Sequence, residues 1–372
     1  MQRLYRTQLD FPDAERFTDA EKLVRSIKGI NKDLDSANDI LVHRNFQQRK
    51  EIRRAYKQRY GTDLLVSLGN ELNGDYESLV KNLFRDPVEI LANDIYRELR
   101  KRGHNTSELT AVICCCSNTE IYLLKKAYAT ILEAEDAKHA THRSLETDIR
   151  KETRGPYGQL LEELFKCERY EESPEELMSA GVAEDLYTVV DRNLVNKDVE
   201  DLHLALNDPA DKPQTSPTPT RNSNPKRPRI QPCQNCRRKG PKSNHRPLIT
   251  ILTKRSKTHI KAIWAVYIQK YHINLVQEIS NQFAEPFRTG INTMIMAQVD
   301  LRLLLICQLR EATAGLGTRE STLNRIICLR LENDMPDLRT RYITYFGEDL
   351  IKHVREDTSF DYRKLLTLLL NR

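Results

Sequence analysis

The chain has 372 residues, of which 39% are hydrophobic and 30% are charged, and its formal net charge is +6. This length exceeds what one hydrophobic core normally holds, so we expect several domains or an array of repeats. No apolar run approaches the roughly eighteen residues of a transmembrane helix, and the first residues lack the apolar segment of a signal peptide, which favours a cytosolic protein.

Helical periodicity dominates the chain from its start. Apolar residues recur at spacings of three and four, separated by short polar turns, in the segments 19–28, 37–42, 47–60, 63–68 and 76–84. This pattern predicts a unit of five short helices.

The same layout returns near the C-terminus. Gly29 precedes the carboxylate Glu71 by the interval that also separates Gly315 from Asp357. Three further pairs keep this register: Arg44 with Arg330, Gly61 with Gly347, and Tyr76 with Tyr362. Coincidence at so many positions predicts that the chain is built from repeats of about seventy residues.

Two less regular copies lie between these units. In the second copy the turn is Gly103-His104-Asn105-Thr106, and Glu152 arrives seven residues late, an excess that we assign to an enlarged connection at 133–143. The third copy is predicted to have its first helix over 182–192, with the turn at 193–196, and to resume at 247–252. Its acidic position falls on the neutral Gln282.

A foreign segment interrupts the third copy at 207–246. It contains eight prolines and ten Lys/Arg residues against two Asp, so we expect it to be disordered and to carry the excess positive charge of the chain. Three interpretations remain open: a solvated loop, a translated intron, or a basic tether that is attracted to an anionic membrane surface.

The repeats, the glycine turn with its distant carboxylate, and Asp10-Phe11-Pro12 before the first repeat together resemble an annexin. The resemblance implies an all-α fold, in which four repeats of five short helices form a slightly curved disc. It places a short N-terminal segment at 1–16 and the repeats at 17–85, 86–167, 174–298 and 299–372. It also implies that the convex face binds calcium and docks there on acidic phospholipids such as phosphatidylserine.

The family pattern implies the calcium ligands. Main-chain carbonyls and one carboxylate supply part of the oxygen shell that Ca²⁺ requires, and a lipid phosphate completes it. The strongest site in the pattern has the carbonyls of Thr313, Gly315 and Gly317 with Asp357. The other expected sites use Ile27, Gly29 and Asn31 with Glu71, and Lys101, Gly103 and Asn105 with Glu152. No site is expected in the third repeat.

Two alternatives accompany this interpretation. In the first, Glu71 and Glu152 cap the N-termini of helices, where acidic residues are favoured. In the second, the chain is a divergent helical scaffold with little calcium binding, which acts through protein or nucleic-acid contacts of its basic insertion.

The remaining expectations concern class and location. The sequence has no nucleophile elbow, P-loop, dinucleotide fingerprint or two-histidine zinc motif, so no enzyme class is indicated. We expect a monomer that does not bind nucleic acid and that is cytoplasmic and peripheral at membranes when calcium is present. Export without a signal peptide is compatible with the family.

Overall fold

The computed structural model describes residues 11–101, 106–137, 140–183, 186–207, 244–314 and 319–372. In these ranges the chain is helical, with turns and short connections and no β-strand. None of the helices in the described ranges combines the length and the apolar composition that a membrane-spanning helix requires.

Within the residues that the structure describes, each repeat has five α-helices. The helices of the first repeat are α1 (Asp13–Ile27), α2 (Leu34–His43), α3 (Phe46–Tyr60), α4 (Leu64–Glu71) and α5 (Gly74–Phe84). Those of the second are α6 (Pro87–Leu99), α7 (Thr106–Ile113), α8 (Asn118–Glu135), α9 (Leu145–Glu152) and α10 (Gly155–Phe165). A further helix, α11 (Pro174–Ala183), and a 3-10 helix (Leu186–Thr188) follow.

The third and fourth repeats complete the chain. The helices of the third are α12 (Arg192–Asn207), α13 (Arg246–Lys254), α14 (Lys257–Tyr271), α15 (Leu275–Gln282) and α16 (Phe287–Val299). Those of the fourth are α17 (Leu301–Ala312), α18 (Glu320–Arg330), α19 (Met335–Phe346), α20 (Leu350–Asp357) and α21 (Phe360–Leu370). The all-α class and the five-helix repeat predicted from the sequence are therefore confirmed.

The described residues form two compact units. Unit 1 contains the residues up to Thr153 together with Asp300–Arg372, and unit 2 contains Arg154–Val299. One hydrophobic core in unit 1 takes buried side chains from both the first and the fourth repeat. The first and fourth repeats therefore share one core and are not independent domains.

The first and fourth repeats share their buried polar contacts as well as their helices. The hydroxyl of Tyr76 donates to Asn38 Oδ1 at 2.8 Å, and the hydroxyl of Tyr362 donates to Asn324 Oδ1 at 2.8 Å. The third helix ends in both repeats at a left-handed glycine, with φ +74° at Gly61 and +75° at Gly347. The register read from the sequence therefore describes equivalent positions in the two repeats.

The helix α12 corrects the prediction for the third repeat. The first helix was expected over 182–192 with the turn at 193–196, but these turn residues lie inside α12. The reason is the apolar pattern of Val195, Val199, Leu202 and Leu206, which forms one buried helical face. Asp198 of this helix accepts from Arg255 at 2.6 Å, the separation that also joins Asp19 to Arg44 in the first repeat.

This shift also corrects the bounds of the insertion. Asn207 is the last residue of α12 and Arg246 is the first residue of α13, so both predicted ends are helical. Residues 208–243 lie outside the described residues. The inserted segment therefore occupies the connection between the first and second helices of its repeat, which in the first repeat is the glycine turn.

The second repeat is enlarged where the sequence predicted. α8 has 18 residues against 15 in α3, and a 3-10 helix, Ala140–His142, lies between α8 and α9. The extra residues that delay Glu152 are thus accommodated by a longer third helix and a longer connection.

A buried ion cluster fixes α18 in unit 1. Arg325 of this helix donates to Asp94 at 2.9 Å and approaches Glu108 at 3.4 Å, which joins the fourth repeat to the second. Burial raises the pKa of Asp94, and the guanidinium of Arg325 counteracts part of that effect. Because an unpaired buried charge is costly, this contact holds α18 in one position against α6 and α7.

Candidate metal centre

The acidic residues that were predicted to complete the metal sites occupy equivalent positions. Glu71, Glu152 and Asp357 are the last residues of α4, α9 and α20, and the neutral Gln282 ends α15. In each case the next backbone N–H donates to the residue four positions before it, closing the helix at 2.8 to 3.1 Å. The carboxylates that follow the glycine turns at long intervals in the sequence thus all lie at the C-terminal end of the fourth helix of their repeat.

This position contradicts the capping alternative. Glu71 and Glu152 end their helices and do not lie in a first turn. A carboxylate at a helix C-terminus faces the negative end of the helix dipole, which is unfavourable unless a cation compensates. The helix dipole therefore favours a bound cation beside these carboxylates.

The turn of the first repeat is fully described. It runs over 28–33 between α1 and α2, and the backbone N–H of Asp33 donates to the carbonyl of Ser26 at 2.8 Å to close it. Gly29 has φ +80°, a conformation that a residue with a side chain rarely adopts, and Ile30 at the tip is fully exposed. Glycine is thus required at Gly29 because of its backbone conformation.

The fourth repeat closes the same connection with the same bond. The N–H of Arg319 donates to the carbonyl of Ala312 at 3.1 Å, which matches the bond between Asp33 and Ser26. Thr313 is buried, and its hydroxyl donates to the carbonyl of Leu309 at 3.0 Å. The predicted ligands Gly315 and Gly317 lie outside the described residues.

Lys32 joins the two halves of the first-repeat site. Its ammonium donates to the main-chain carbonyl of Glu71. The contact brings the turn 28–33 against the C-terminal end of α4, as a shared metal site requires. It also places a positive charge beside the C-terminal residue of α4, where the family pattern would have a calcium ion.

Two further carboxylates, Asp75 and Glu320, lie near the end of α20. Burial raises the pKa of Glu320, and the carboxylates of Asp75 and Asp357 raise it further. The pKa of Tyr362 is also raised, first by burial and then by the charges of the same three carboxylates. Asp75 and Glu320 therefore add negative charge near Asp357, which favours a cation there.

The second-repeat site is described only in part. Lys101 lies just after α6, and its ammonium pairs with Glu98 at 2.7 Å. Gly103 and Asn105 fall outside the described residues, whereas Glu152 ends α9. The predicted ligand set of this repeat stays a prediction.

The donor set decides which metal fits. Across the described residues no three histidine, cysteine or acidic side chains come together as a metal cluster. A site at these turns would combine carbonyl oxygens with one carboxylate, an all-oxygen shell that suits Ca²⁺ and not Zn²⁺. The chemistry of the residues present thus fits calcium.

Sequence reasoning missed one residue at these turns. Phe360 follows Asp357 by three positions, is 89% exposed and has φ +46°. The first and second repeats have glycine at this position, Gly74 and Gly155, both with positive φ. A phenylalanine in place of a recurrent glycine was the signal in the sequence.

Comparison with known proteins gives a consistent result. A family model described as Annexin matches residues 18–83 and 307–369, which lie in the first and fourth repeats. Annexin A13 of Schistosoma japonicum is 30% identical over 352 residues, covering 95% of this chain and 90% of that protein. Annexin A13 of Mus musculus is 26% identical, covering 96% and 95%.

A solved structure agrees with these relatives. A calcium-bound annexin (Sm)1 matches with a TM-score of 0.76 at 25% identity, covering 96% of this chain and 90% of that one. The chain belongs to the annexin family. Annexins are in general non-enzymatic, peripheral membrane-binding proteins, and membership supports calcium-dependent binding to phospholipid as the general activity.

Proposed function

We propose that this annexin binds acidic phospholipid membranes through calcium held at the glycine turns, with the fourth repeat as its principal site. The ligands there are the carbonyls of Thr313, Gly315 and Gly317 and the carboxylate of Asp357. The observation that carries the proposal is the equivalent geometry of the first and fourth repeats, where one hydrogen bond closes the turn and a carboxylate ends the fourth helix.

The binding chemistry follows from an incomplete shell. Carbonyls and one carboxylate leave coordination positions of calcium open, and a phosphate oxygen of phosphatidylserine fills one of them. The lipid phosphate is then a ligand of the bound calcium ion, so each raises the affinity of the protein for the other by the same factor. The protein is a peripheral binder, cytoplasmic and monomeric, that attaches when calcium rises.

We expect the sites to differ in strength. The fourth repeat keeps both glycines of the turn, and Asp75 and Glu320 add negative charge near Asp357. In the first repeat, with the carbonyls of Ile27, Gly29 and Asn31 and the side chain of Glu71, calcium must compete with the ammonium of Lys32. The second repeat, with Lys101, Gly103, Asn105 and Glu152, is expected to be the weakest of the three, because Glu152 arrives seven residues late.

Co-sedimentation with phosphatidylserine vesicles, across a calcium titration, tests the proposal. We expect Asp357→Ala to raise the calcium concentration for half-maximal binding by more than about tenfold, since it removes the one charged ligand of the site. Glu71→Ala should have a smaller effect. Gln282→Ala is the matched control, because it changes the equivalent helix end in the repeat where no site is expected.

Two outcomes separate the main proposal from the alternative. Loss of sedimentation in chelator, together with the ranking Asp357→Ala, Glu71→Ala, Gln282→Ala, supports calcium-dependent docking. Vesicle binding that is indifferent to calcium and to all three substitutions would contradict it.

A further inference from the structure

Phe360 has a positive φ, a backbone conformation that two other repeats reach at this position with glycine. It opens α21 with φ +46°, whereas the corresponding Gly74 and Gly155 have φ +63° and +64°. A β-carbon built on either glycine would meet no atom within 4 Å, so the backbone alone sets the preference at this position. A phenylalanine there is strained, and such strain is concentrated at functional positions.

The exposure of Phe360 is the second observation. The side chain is 89% exposed, in a molecule whose other phenylalanines in the described ranges are buried or half-buried. Local packing therefore does not account for a bulky apolar residue at a strained position. A contact outside the folded chain would.

The turn that carries Phe360 lies near the described glycine turn 28–33 of the first repeat. In the first repeat Lys32 ties the turn 28–33 to the end of α4, the equivalent of the end of α20. Lys364, the fifth residue of α21, pairs with Asp35, two residues after the turn 28–33. Ile30 at the tip of that turn is fully exposed as well. Two exposed apolar side chains thus come from adjoining turns.

Basic groups accompany Phe360. Arg363 is exposed, and its guanidinium donates to the carbonyl of Thr358 at 2.6 Å, which holds it against the same turn. Arg355 is exposed in the last turn of α20, and the exposed carboxylates of Glu356 and Asp361 lie nearby in the sequence. An exposed aromatic ring with arginine side chains nearby suits the interface of an anionic bilayer, where the ring enters the acyl boundary and the cations meet phosphates.

We propose that Phe360 is an apolar anchor that enters the interface of an anionic phospholipid bilayer when the fourth repeat docks. The inference rests on the proposed function, because calcium at Asp357 would bring the turn to the headgroups. It adds a hydrophobic contribution that depends on this chain's own phenylalanine and not on the ligands of the ion.

A fluorescence experiment tests the insertion directly. The chain has one tryptophan, Trp264, so Phe360→Trp is made in a Trp264→Phe background and mixed with phosphatidylserine vesicles whose acyl chains carry bromine. We expect a blue shift and quenching of the emission in calcium and neither in chelator. The control is Tyr345→Trp in the same background, an aromatic position that is 60% exposed near the N-terminal end of α20, and its emission should not change.

A second variant needs no tryptophan replacement. Phe360→Gly restores the residue of the other repeats, so it should fold at least as well as the natural chain. We expect its vesicle affinity at saturating calcium to fall about fivefold to tenfold, because about half of a phenylalanine side chain is no longer removed from water.

The outcomes distinguish this inference from the proposed function. If the natural chain sediments with calcium but Phe360→Gly sediments equally well and the tryptophan at 360 is not quenched, the anchor is wrong and calcium docking stands. A natural chain that does not bind vesicles in calcium overturns both.

Discussion

The first and fourth repeats have nearly the same framework and different side chains at their turns. Both close the connection between the first two helices with one backbone bond, and both end the fourth helix at a carboxylate. At the turn the first repeat has Asn31 and Lys32 where the fourth has Gly317 and Thr318. The comparison teaches that helix packing maintains the repeat, while a few turn residues decide whether it is suited to an ion.

The substitution Thr318→Lys should reduce the difference in calcium affinity between the fourth and the first repeat most strongly. It gives the fourth repeat the lysine of the first, and an ammonium about 4 Å from Ca²⁺ costs about 2 kcal/mol even at the dielectric constant of water, or about thirtyfold in affinity. The calcium requirement for vesicle binding should rise by about that factor. Thr318→Met is the control for loss of the hydroxyl, and equal effects of the two substitutions would contradict a charge mechanism.

The reverse substitution, Lys32→Thr, should strengthen the first repeat. It removes the ammonium that contacts the carbonyl of Glu71, so calcium no longer competes with a tethered cation. We expect about a tenfold gain in calcium affinity at this site, less than the loss above because Asn31 still replaces a glycine. Calcium binding measured by calorimetry in an Asp357→Ala background isolates the effect, and adding Glu71→Ala should abolish the gain.

Much of this framework was predictable from the sequence. The five-helix unit and the pairs Gly61 with Gly347 and Tyr76 with Tyr362 followed from periodicity and spacing, because helix packing and left-handed helix ends constrain those residues strongly. The first helix of the third repeat was misplaced, since the long insertion removed the spacing that fixes the register. The contact of Lys32 was also unpredictable, because a flexible side chain has many alternatives in a polar turn.

The shared tyrosine contacts offer a stability test of the same comparison. Tyr76→Phe and Tyr362→Phe each remove a hydroxyl that donates at 2.8 Å to a buried asparagine oxygen, which leaves that oxygen without its partner. Each should lower the free energy of unfolding by about 1–3 kcal/mol. If the two repeats are equivalent, the two losses in denaturant titrations agree within about 0.5 kcal/mol. A large loss in one and none in the other would show that they are not.

The smallest expected difference lies at the start of the fourth helix. In the first repeat Asp63 accepts from Arg53 at 2.9 Å, whereas in the fourth Asp349 and Arg339 are 3.6 Å apart. Burial would raise the pKa of Asp63, but the hydrogen bonds of Arg53 and Leu65 hold it below its ordinary value. A lowered pKa in the folded state stabilises the protein above the ordinary pKa of the carboxyl, and this contribution disappears as the pH falls through the lowered value.

Asp63→Asn keeps the helix cap and removes the charge, so it isolates this contribution. At pH 7 it should destabilise the protein by about 0.5–1 kcal/mol, since the pair is partly exposed, and the difference from the natural chain should shrink once the pH falls below the ordinary pKa of 3.8 and vanish below the lowered pKa. Asp349→Asn is the matched control, with a smaller loss because its arginine is farther away. Melting curves from pH 7 to pH 3 measure both, and a difference for Asp63→Asn that persists unchanged at low pH would assign its effect to packing and not to charge.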